Sequence, residues 1–373
     1  MRLGWGVKMD YLLVPDSFKG SMSAKRVCEL MTEEILSNDK NAIVNAFPAL
    51  DGGEGSAEYL TEIEKGKKVE VKAKNGTFEE ETTTFGLCGE VAYIAVADTS
   101  GLPQTKIKDP AKTTTYGLGE QIDCAIRMGA KKIVVALGGS STNDGGAGAA
   151  AALGAEFLNK KGETFVPTGG TLEEIESVNV EKMREKIKGV AFVGLCDVNN
   201  PLTGEKGCSY VYAKQKGADT KEKQDFLEKN MQAYEKVTAF LGTNGNVSGA
   251  GAAGGLGYFV KAFLKGELVS GADYFLDVIG FEEKAKKADV IVCGEGKFDN
   301  TSAQGKICGR IRDRAKNIGK EVIVFCGVSE AEKADGVRVI YPINDPNKDL
   351  AYNMKNSESN LVKTVRKMLK DIV

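Results

Sequence analysis

The segment best suited to chemistry is a run of small and polar residues, Gly138-Gly139-Ser140-Ser141-Thr142-Asn143-Asp144-Gly145-Gly146. It lies between an apolar run at 132–137, which predicts a buried strand, and a stretch rich in Gly and Ala, which predicts a helix. Backbone N–H groups and hydroxyls at the start of such a helix can surround the oxygens of a phosphate. A helix cap with a turn is the alternative, but a cap needs only one Ser or Asp. We therefore predict that phosphate or an anionic substrate binds to Gly139, Ser140, Ser141, Thr142, Asn143 and Asp144.

A second glycine-rich run, Asp51-Gly52-Gly53-Glu54-Gly55, follows a predicted strand at 42–47. Carboxylate oxygens are ligands that Mg²⁺ prefers, and Mg²⁺ in turn binds phosphates. An acidic cap at the start of the next helix is the alternative interpretation. The run predicts Asp51 and Glu54 as ligands of Mg²⁺, with Gly52 and Gly53 beside the phosphates.

Acids and lysines recur at the ends of other predicted strands. The segment Gly294-Glu295-Gly296-Lys297-Phe298-Asp299 follows a predicted strand at 290–293, and Lys306 comes shortly after it. A lysine beside a glycine loop can neutralise phosphate charge, whereas a solvated cap is the alternative. Acids and lysines around glycine loops are typical of Mg²⁺-assisted phosphoryl transfer. Further candidates of this kind are Asp16, Ser17, Lys19, Asp197 and Lys216.

The composition excludes several kinds of chemistry and partner. The 373 residues include no histidine, which removes Ser-His-Asp and Cys-His nucleophile systems and HExxH metal sites. Lys and Arg total 50 against 52 Asp and Glu, so a net charge of -2 gives no general attraction to nucleic acid or anionic membranes. We therefore expect neither as a partner.

The sequence also predicts the location of the protein. No run of eighteen apolar residues and no signal-peptide core is present. The eight cysteines contain no CxxC pair, which favours buried free thiols in a reducing compartment. We expect a cytoplasmic protein, and because a strand begins at Tyr11, Met9 is a candidate start beside Met1.

Nucleotide signatures leave two alternatives open. No GxxxxGK[ST] run exists, which argues against a P-loop NTPase. One GxGxxG run, Gly249 to Gly254, follows polar residues rather than the strand that a dinucleotide site requires. An NAD-dependent hydroxy-acid dehydrogenase is therefore one alternative function, and a non-catalytic protein that binds a small acid or nucleotide is the other.

The elements that must position these residues form two groups. Strands and helices alternate at both ends of the chain, with glycine loops after the strands, which is typical of a parallel α/β sheet. Between the ends, three period-two runs predict an antiparallel meander, followed by mixed helices and strands. We predict an α/β protein of two domains: one discontinuous domain of residues 9–64 and 287–373, and an inserted mixed α/β domain of residues 65–286.

The order of these motifs resembles the bacterial glycerate kinase family of sugar-acid catabolism. The opening Val14-Pro15-Asp16-Ser17-Phe18-Lys19-Gly20-Ser21-Met22-Ser23-Ala24 is similar to the start of that family. The segments that continue the resemblance, in the family's order, are Asp51–Gly55, Thr113-Thr114 with Gly117 and Gly119, Gly138–Gly148, Cys196–Gly204, Gln215–Ala218, Gly249–Gly255, and Gly294-Glu295-Gly296 with Asp299. Together they cover nearly the whole chain.

The resemblance implies an ATP-dependent kinase that phosphorylates a hydroxyl of D-glycerate with Mg²⁺. It also implies a flavodoxin-like domain formed by both chain ends, with the active site in the cleft beside the inserted domain. Two positions depart from the family pattern, because Lys297 stands where Arg is common and Gln304 where His often occurs. Lysine lacks the planar fork of arginine, so this segment must bind its anion differently.

The mechanism that we expect depends mainly on positioning, because the transition state of phosphoryl transfer is loose. Lys19, Lys216 and Lys297 would spread charge over the transferring group. Asp197 is the first candidate for the base that accepts the hydroxyl proton, since it ends an apolar run, and Asp299 is the second. We expect 2-phosphoglycerate rather than 3-phosphoglycerate as the product, and the sequence leaves the oligomeric state open.

Overall fold

The computed structural model describes residues 8–50, 53, 55–298 and 307–372. Its strands are β1 Asp10–Pro15, β2 Ile43–Ala46, β3 Lys67–Lys74, β4 Glu80–Cys88, β5 Val91–Ala95, β6 Lys132–Ala136, β7 Glu156–Leu158, β8 Thr164–Phe165, β9 Ser177–Asn179, β10 Ala191–Leu195, β11 Glu267–Val269, β12 Val290–Phe298, β13 Val322–Ser329 and β14 Val337–Pro342. Its α-helices are α1 Ala24–Asn38, α2 Ser56–Ile63, α3 Ala97–Ser100, α4 Tyr116–Arg127, α5 Ala147–Ala152, α6 Glu181–Lys186, α7 Cys208–Val211, α8 Lys221–Val237, α9 Ala252–Ala262, α10 Gly271–Val278, α11 Phe281–Lys287, α12 Ile307–Asn317, α13 Leu350–Lys355 and α14 Ser357–Ile372. Short 3₁₀ helices occupy Leu172–Glu174, Lys214–Lys216 and Ala239–Leu241.

The chain divides into two compact units, and the first consists of Met1–Asp51 and Ala272–Val373. Its sheet has the order β14-β13-β12-β1-β2, and every neighbouring pair is parallel. This is the 2-1-3-4-5 order of flavodoxin-like sheets. The central strands are apolar along almost their whole length because helices cover both faces of such a sheet. The helix α1 begins after Ser23, whose Oγ accepts the N–H of Arg26 at 3.2 Å.

The second unit is the inserted segment, Gly52–Gly271. Its main sheet has the order β11-β10-β6-β5-β4-β3, in which β11, β10, β6 and β5 are parallel and β4 and β3 antiparallel. A small antiparallel sheet, β8-β7-β9, lies apart from it. The predicted fold class is confirmed: a flavodoxin-like α/β domain formed by both chain ends, and an inserted mixed α/β domain.

The boundaries of the units differ from the predicted 9–64, 65–286 and 287–373. Helix α2 packs on β3, β4 and β5 of the second unit, because its buried face of Ala57, Leu60 and Thr61 covers that sheet. Residues 272–286 belong to the first unit, where Arg314 binds Glu282 and Asp277 through charge-assisted hydrogen bonds. Hydrophobic periodicity predicts a helix but does not say which of two sheets the helix covers.

None of the helices in residues 8–298 and 307–372 that the structure describes combines the length and apolar character needed to cross a bilayer. All eight cysteines lie in the described part of the chain and are unpaired.

Candidate active site

The first unit brings together predicted residues from opposite ends of the sequence. Strand β1 leads through α1 to β2 on one side of the sheet, whereas β12 is followed by β13 on the other. The chain therefore changes direction between β1 and β12, and ligands of open α/β sheets bind beside the carboxyl ends of the strands at such a point. The segment after β1 carries Asp16, Ser17 and Lys19, and the end of β12 carries Glu295 and Lys297.

Backbone contacts join these two segments closely. The amide of Asp16 donates to the carbonyl oxygen of Gly294 at 2.8 Å, and the amide of Ser17 donates to Oδ1 of Asp16 at 2.6 Å. A Cβ atom on Gly296 would lie 3.5 Å from the amide nitrogen of Lys19, so the turn after β1 packs against this glycine. Lys19 itself is exposed. The carboxyl edge of the first sheet thus presents an acid, a hydroxyl and an ammonium.

The segment 294–297 is not the glycine loop that we predicted. Strand β12 extends to Phe298, and Glu295 and Lys297 pair with Cys326 and Val328 of β13. Glycine makes this pairing possible, because a Cβ atom on Gly327 would lie 2.5 Å from the carbonyl oxygen of Gly296. The run of glycine in the sequence therefore marks a close approach of two strands rather than a turn.

The two charged residues of this strand have different surroundings. Glu295 is 6% exposed, whereas Lys297 is exposed and forms a salt bridge to Glu330 at 2.6 Å. Burial raises the pKa of the Cys326 thiol to about 12, and the nearby Glu295 carboxylate adds to that shift. Lys297 is therefore the residue of this segment best placed to meet an anion from solvent.

The second unit has its own carboxyl edge, formed by the parallel strands β5, β6, β10 and β11. Asp98 follows β5, the loop 138–146 follows β6, Asp197 follows β10, and Ser270 follows β11. Ser270 Oγ donates to Oδ1 of Asp197 at 2.7 Å, which orients this exposed carboxylate. An oriented carboxylate at a strand end can accept a proton from a substrate hydroxyl.

The predicted phosphate loop after β6 is exposed at one end only. Gly139 is exposed, with a left-handed φ of +79°, and Ser140 is 5% exposed. From Ser141 to Asp144 every residue is buried. Ser141 Oγ donates to the carbonyl oxygen of Ser100 at 2.9 Å, and Thr142 Oγ1 lies 2.8 Å from Ser140 Oγ. Most of the polar side chains of this loop therefore bond inside the unit.

Asp144 forms the buried end of the loop. Its carboxylate accepts four hydrogen bonds, from the amide and hydroxyl of Thr115, both at 2.8 Å, and from the amides of Gly146 at 3.1 Å and Gly148 at 3.3 Å. Burial raises the pKa of the Asp144 carboxyl, while these four donors act in the opposite direction. Asp144 connects the start of α4 to the start of α5.

Lys216 is also buried, at 2% exposed, although we predicted that it touches the transferring group. Its Nζ donates to the carbonyl oxygen of Thr142 at 2.7 Å. Burial lowers the pKa of the Lys216 ammonium to about 8, against the opposing effects of Cys208 and Asp144. In this arrangement the lysine contacts the loop and not the solvent.

The glycine-rich run 249–255 packs against the same loop. Gly254 has a φ of +75°, and a Cβ atom there would lie 2.0 Å from the carbonyl oxygen of Thr142. Gly254 in turn accepts the amide of Gly145 through its carbonyl oxygen at 3.0 Å. Turns and a 3₁₀ helix precede the run, so it does not follow a strand. These glycines allow two backbones to touch, which differs from a dinucleotide fingerprint.

Asp98 is a candidate that the sequence reasoning missed. It is exposed on α3 and lines two small crevices, one with Gly55, Glu58 and Lys68, and the other with Thr105. Residues 91–97 are one of the three period-two runs that predict an antiparallel meander, to which the carboxyl-end rule does not apply. Because β5 also pairs in parallel with β6, the rule does apply and would have indicated Asp98.

Comparisons with known proteins show the family of the chain. The sequence model described as "Glycerate kinase family" matches residues 11–373. The chain belongs to the glycerate kinase family. Membership of the glycerate kinase family makes the chain a phosphotransferase with an alcohol acceptor, which confirms the predicted reaction class.

Members of the glycerate kinase family resemble the chain over most of its length. A glycerate kinase of Bacillus cereus is 36% identical over 369 residues, 96% of each chain. A glycerate 2-kinase of Escherichia coli K12 is 33% identical and covers 86% of this chain and 85% of its own. A crystal structure from Salmonella typhimurium LT2, assigned as glycerate kinase 2, is 32% identical with a TM-score of 0.85 over 98% of both chains.

Some predicted residues of this family member lie outside the described residues. They are Asp51, Gly52, Glu54, Asp299, Gln304 and Lys306. Among residues 8–50, 53, 55–298 and 307–372, no three acidic or sulfur side chains form a group that could hold a metal ion.

Proposed function

We propose that the chain transfers the γ-phosphoryl group of ATP to a hydroxyl of D-glycerate. The observation that carries this proposal is the match of the family model to residues 11–373, together with relatives named glycerate kinase at 36% and 33% identity. The acids, hydroxyls and lysines at the carboxyl ends of strands agree with it, because phosphoryl transfer needs charge neutralisation and positioning.

Anionic groups of the substrates bind at the strand ends. Gly139 is the exposed residue of the loop after β6 and Ser140, 5% exposed, follows it; the amides of both donate to no acceptor among the described residues. We assign them the contact with phosphate or with the carboxylate of glycerate. Lys19 and Lys297 are exposed cations and neutralise phosphate charge, beside Asp16 and the hydroxyl of Ser17.

Mg²⁺ would be held by Asp51 and Glu54, as their position in a glycine-rich acidic run indicates. Asp98 is a further candidate ligand, because it lines a crevice with Gly55, the residue that follows this run. When bound, Mg²⁺ supplies charge neutralisation at the phosphate oxygens. Removal of Mg²⁺ with EDTA should abolish turnover, and added Mg²⁺ should restore it.

Asp197 is the first candidate for the base that takes the hydroxyl proton of glycerate. Its carboxylate is exposed and oriented by Ser270 at 2.7 Å. In a loose transition state the proton leaves late, so an ordinary carboxylate suffices. Asp299 stays the second candidate.

The product that we propose is 2-phosphoglycerate. It is supported by the Escherichia coli relative, which is named glycerate 2-kinase. Incubation with ATP, Mg²⁺ and D-glycerate should release ADP, and phosphorus NMR of the product should show the phosphate on carbon 2. A product with the phosphate on carbon 3 would contradict the position, and absence of glycerate-dependent ADP would contradict the kinase. The same mixture with NAD in place of ATP should give no nicotinamide absorbance change, which tests the dehydrogenase alternative.

A further inference from the structure

Lys216 is buried against the loop after β6, in which Gly139 is exposed and Ser140 is 5% exposed. The role that we infer for Lys216 rests on the proposed anion contact of Gly139 and Ser140. We propose that Lys216 is a positioning residue of the kinase, which fixes Ser140 at the edge of the sheet by holding Thr142 from the inside. Lys216 would act without touching either substrate.

Thr142 links the buried ammonium of Lys216 to the hydroxyl of Ser140. Its carbonyl oxygen accepts the Nζ of Lys216 at 2.7 Å, and its amide donates to Ser140 Oγ at 3.1 Å. Its own hydroxyl lies 2.8 Å from the same Ser140 Oγ. The N–H and the C=O of Thr142 both form hydrogen bonds, so a shift of the Thr142 carbonyl would also move the amide that donates to Ser140 Oγ.

Lys216 lies in a closely packed segment. It ends the 3₁₀ helix Lys214–Lys216, and Gly217 follows with a φ of +114°. A Cβ atom on Gly217 would lie 1.8 Å from the carbonyl oxygen of Lys108, so this backbone is fixed against its neighbour. The packing of Gly217 against Lys108 therefore restricts movement of the backbone that carries Lys216.

The groups that face Lys216 favour its charged form. Asp144 and Cys208 are the ionisable neighbours, and Asp144 carries a buried carboxylate. A hydrogen bond from an ammonium is roughly twice as strong as one from a neutral donor. Since burial lowers the pKa of Lys216 to about 8, the ammonium loses its proton just above neutral pH, and its hydrogen bond to Thr142 then becomes weaker.

The test compares Lys216→Met with Lys214→Met. Lys214 is an exposed lysine of the same 3₁₀ helix, so it controls for loss of a charge near the site. We expect Lys216→Met to lower kcat/KM about tenfold or more, mainly through a higher KM for the substrate that Ser140 contacts, and Lys214→Met to stay within twofold. Circular dichroism and a thermal melt report whether each variant is folded. A Lys216→Met variant with the KM of the wild type would overturn the inference.

A double-mutant cycle with Ser140→Ala separates positioning from general damage. If Lys216 acts through Ser140, the two substitutions together should raise KM little more than the larger single effect. Independent, additive effects would refute the proposed route. Should Lys216→Met fail to fold, Thr142→Val replaces it in the same cycle, since it removes the hydroxyl that meets Ser140 Oγ; an unchanged KM would again refute the route.

A pH profile and a conservative variant give a second readout. If the charged form of Lys216 is required, wild-type kcat/KM should fall about tenfold from pH 7 to pH 9, as a group with a pKa of about 8 loses its proton. Lys216→Arg stays charged and should lack this fall. Wild-type protein that releases no ADP with D-glycerate would overturn the proposed function as well, whereas turnover that Lys216→Met leaves intact overturns only this inference.

Discussion

Substitution of Gly254 by Ala tests the contact between the glycine-rich run and the loop after β6. Gly254 has a φ of +75°, and an added Cβ would lie 2.0 Å from the carbonyl oxygen and 2.8 Å from the carbonyl carbon of Thr142. These are backbone atoms, so no side chain can rotate away. The left-handed conformation costs Ala about 1–2 kcal/mol, and overpacking adds about 1–3 kcal/mol. We expect a total loss of about 2–5 kcal/mol.

Gly242 is a matched control. Its φ of +76° is nearly the same, but a Cβ atom there would meet nothing within 4 Å. Gly242→Ala should therefore lose only about 1–2 kcal/mol, from the backbone conformation alone. The difference between the variants, about 1–3 kcal/mol, isolates the clash with Thr142.

Thermal unfolding followed by circular dichroism measures this difference. For a unit of this size each kcal/mol corresponds to about 2–4 °C, so Gly254→Ala should melt about 2–12 °C below Gly242→Ala. The displaced carbonyl of Thr142 should also raise the KM of Gly254→Ala. Equal melting temperatures for the two variants would refute the claim that these backbones are in tight contact.

Two further predictions concern the proposed base and the ion pair between Arg366 and the buried Glu34. Asp197→Asn should lower kcat about tenfold or more, equivalent to about 1.4 kcal/mol of barrier, with an unchanged melting temperature. The control Asp219→Asn changes an exposed acid paired with Lys223 and should keep full turnover. Steady-state ADP release distinguishes the two variants, and full turnover by Asp197→Asn would exclude Asp197 as the base. Arg366→Met should remove the stabilisation that Glu34 gains from this guanidinium, which lowers the Glu34 pKa. Because the Glu34 pKa is lower in the folded state than the unfolded-state pKa of 4.5, the ion pair stabilises the fold above pH 4.5. The difference in melting temperature between Arg366→Met and wild type should therefore be present at pH 7 and shrink as the pH falls below 4.5. A difference that grows as the pH falls would contradict the pairing.

Much of the first unit could be predicted from local patterns. Apolar runs followed by Asp, Ser or Gly indicated β1 and β12, and the rule for carboxyl ends then indicated Asp16 and Glu295 at one sheet edge. The pattern could not show that β12 continues to Phe298. That extension depends on β13, whose Gly327 lets the two backbones approach, and such pairing is not local in the sequence.

The burial of the loop in the second unit was harder to predict from the sequence. The polar run after β6 was expected to face a ligand, but its middle is buried. Its partners are Thr115, Lys216 and Gly254, which come from distant segments and carry no shared motif. Polarity shows that a residue needs a hydrogen-bond partner, and it does not say whether that partner is solvent, substrate or another part of the chain.

The buried charges of this loop have a structural reason that also bears on catalysis. A loop without a sheet ladder or helix must satisfy its backbone groups in some other way when it is buried. Asp144 accepts the amides at the start of α5, and Lys216 donates to the carbonyl of Thr142. Apolar residues could stabilise the interior equally well, but they could not hold these backbone groups in one orientation. Asp144 and Lys216 therefore each fix part of one loop conformation, in which the exposed Gly139 and the neighbouring Ser140 stay at the sheet edge where we propose that an anion binds.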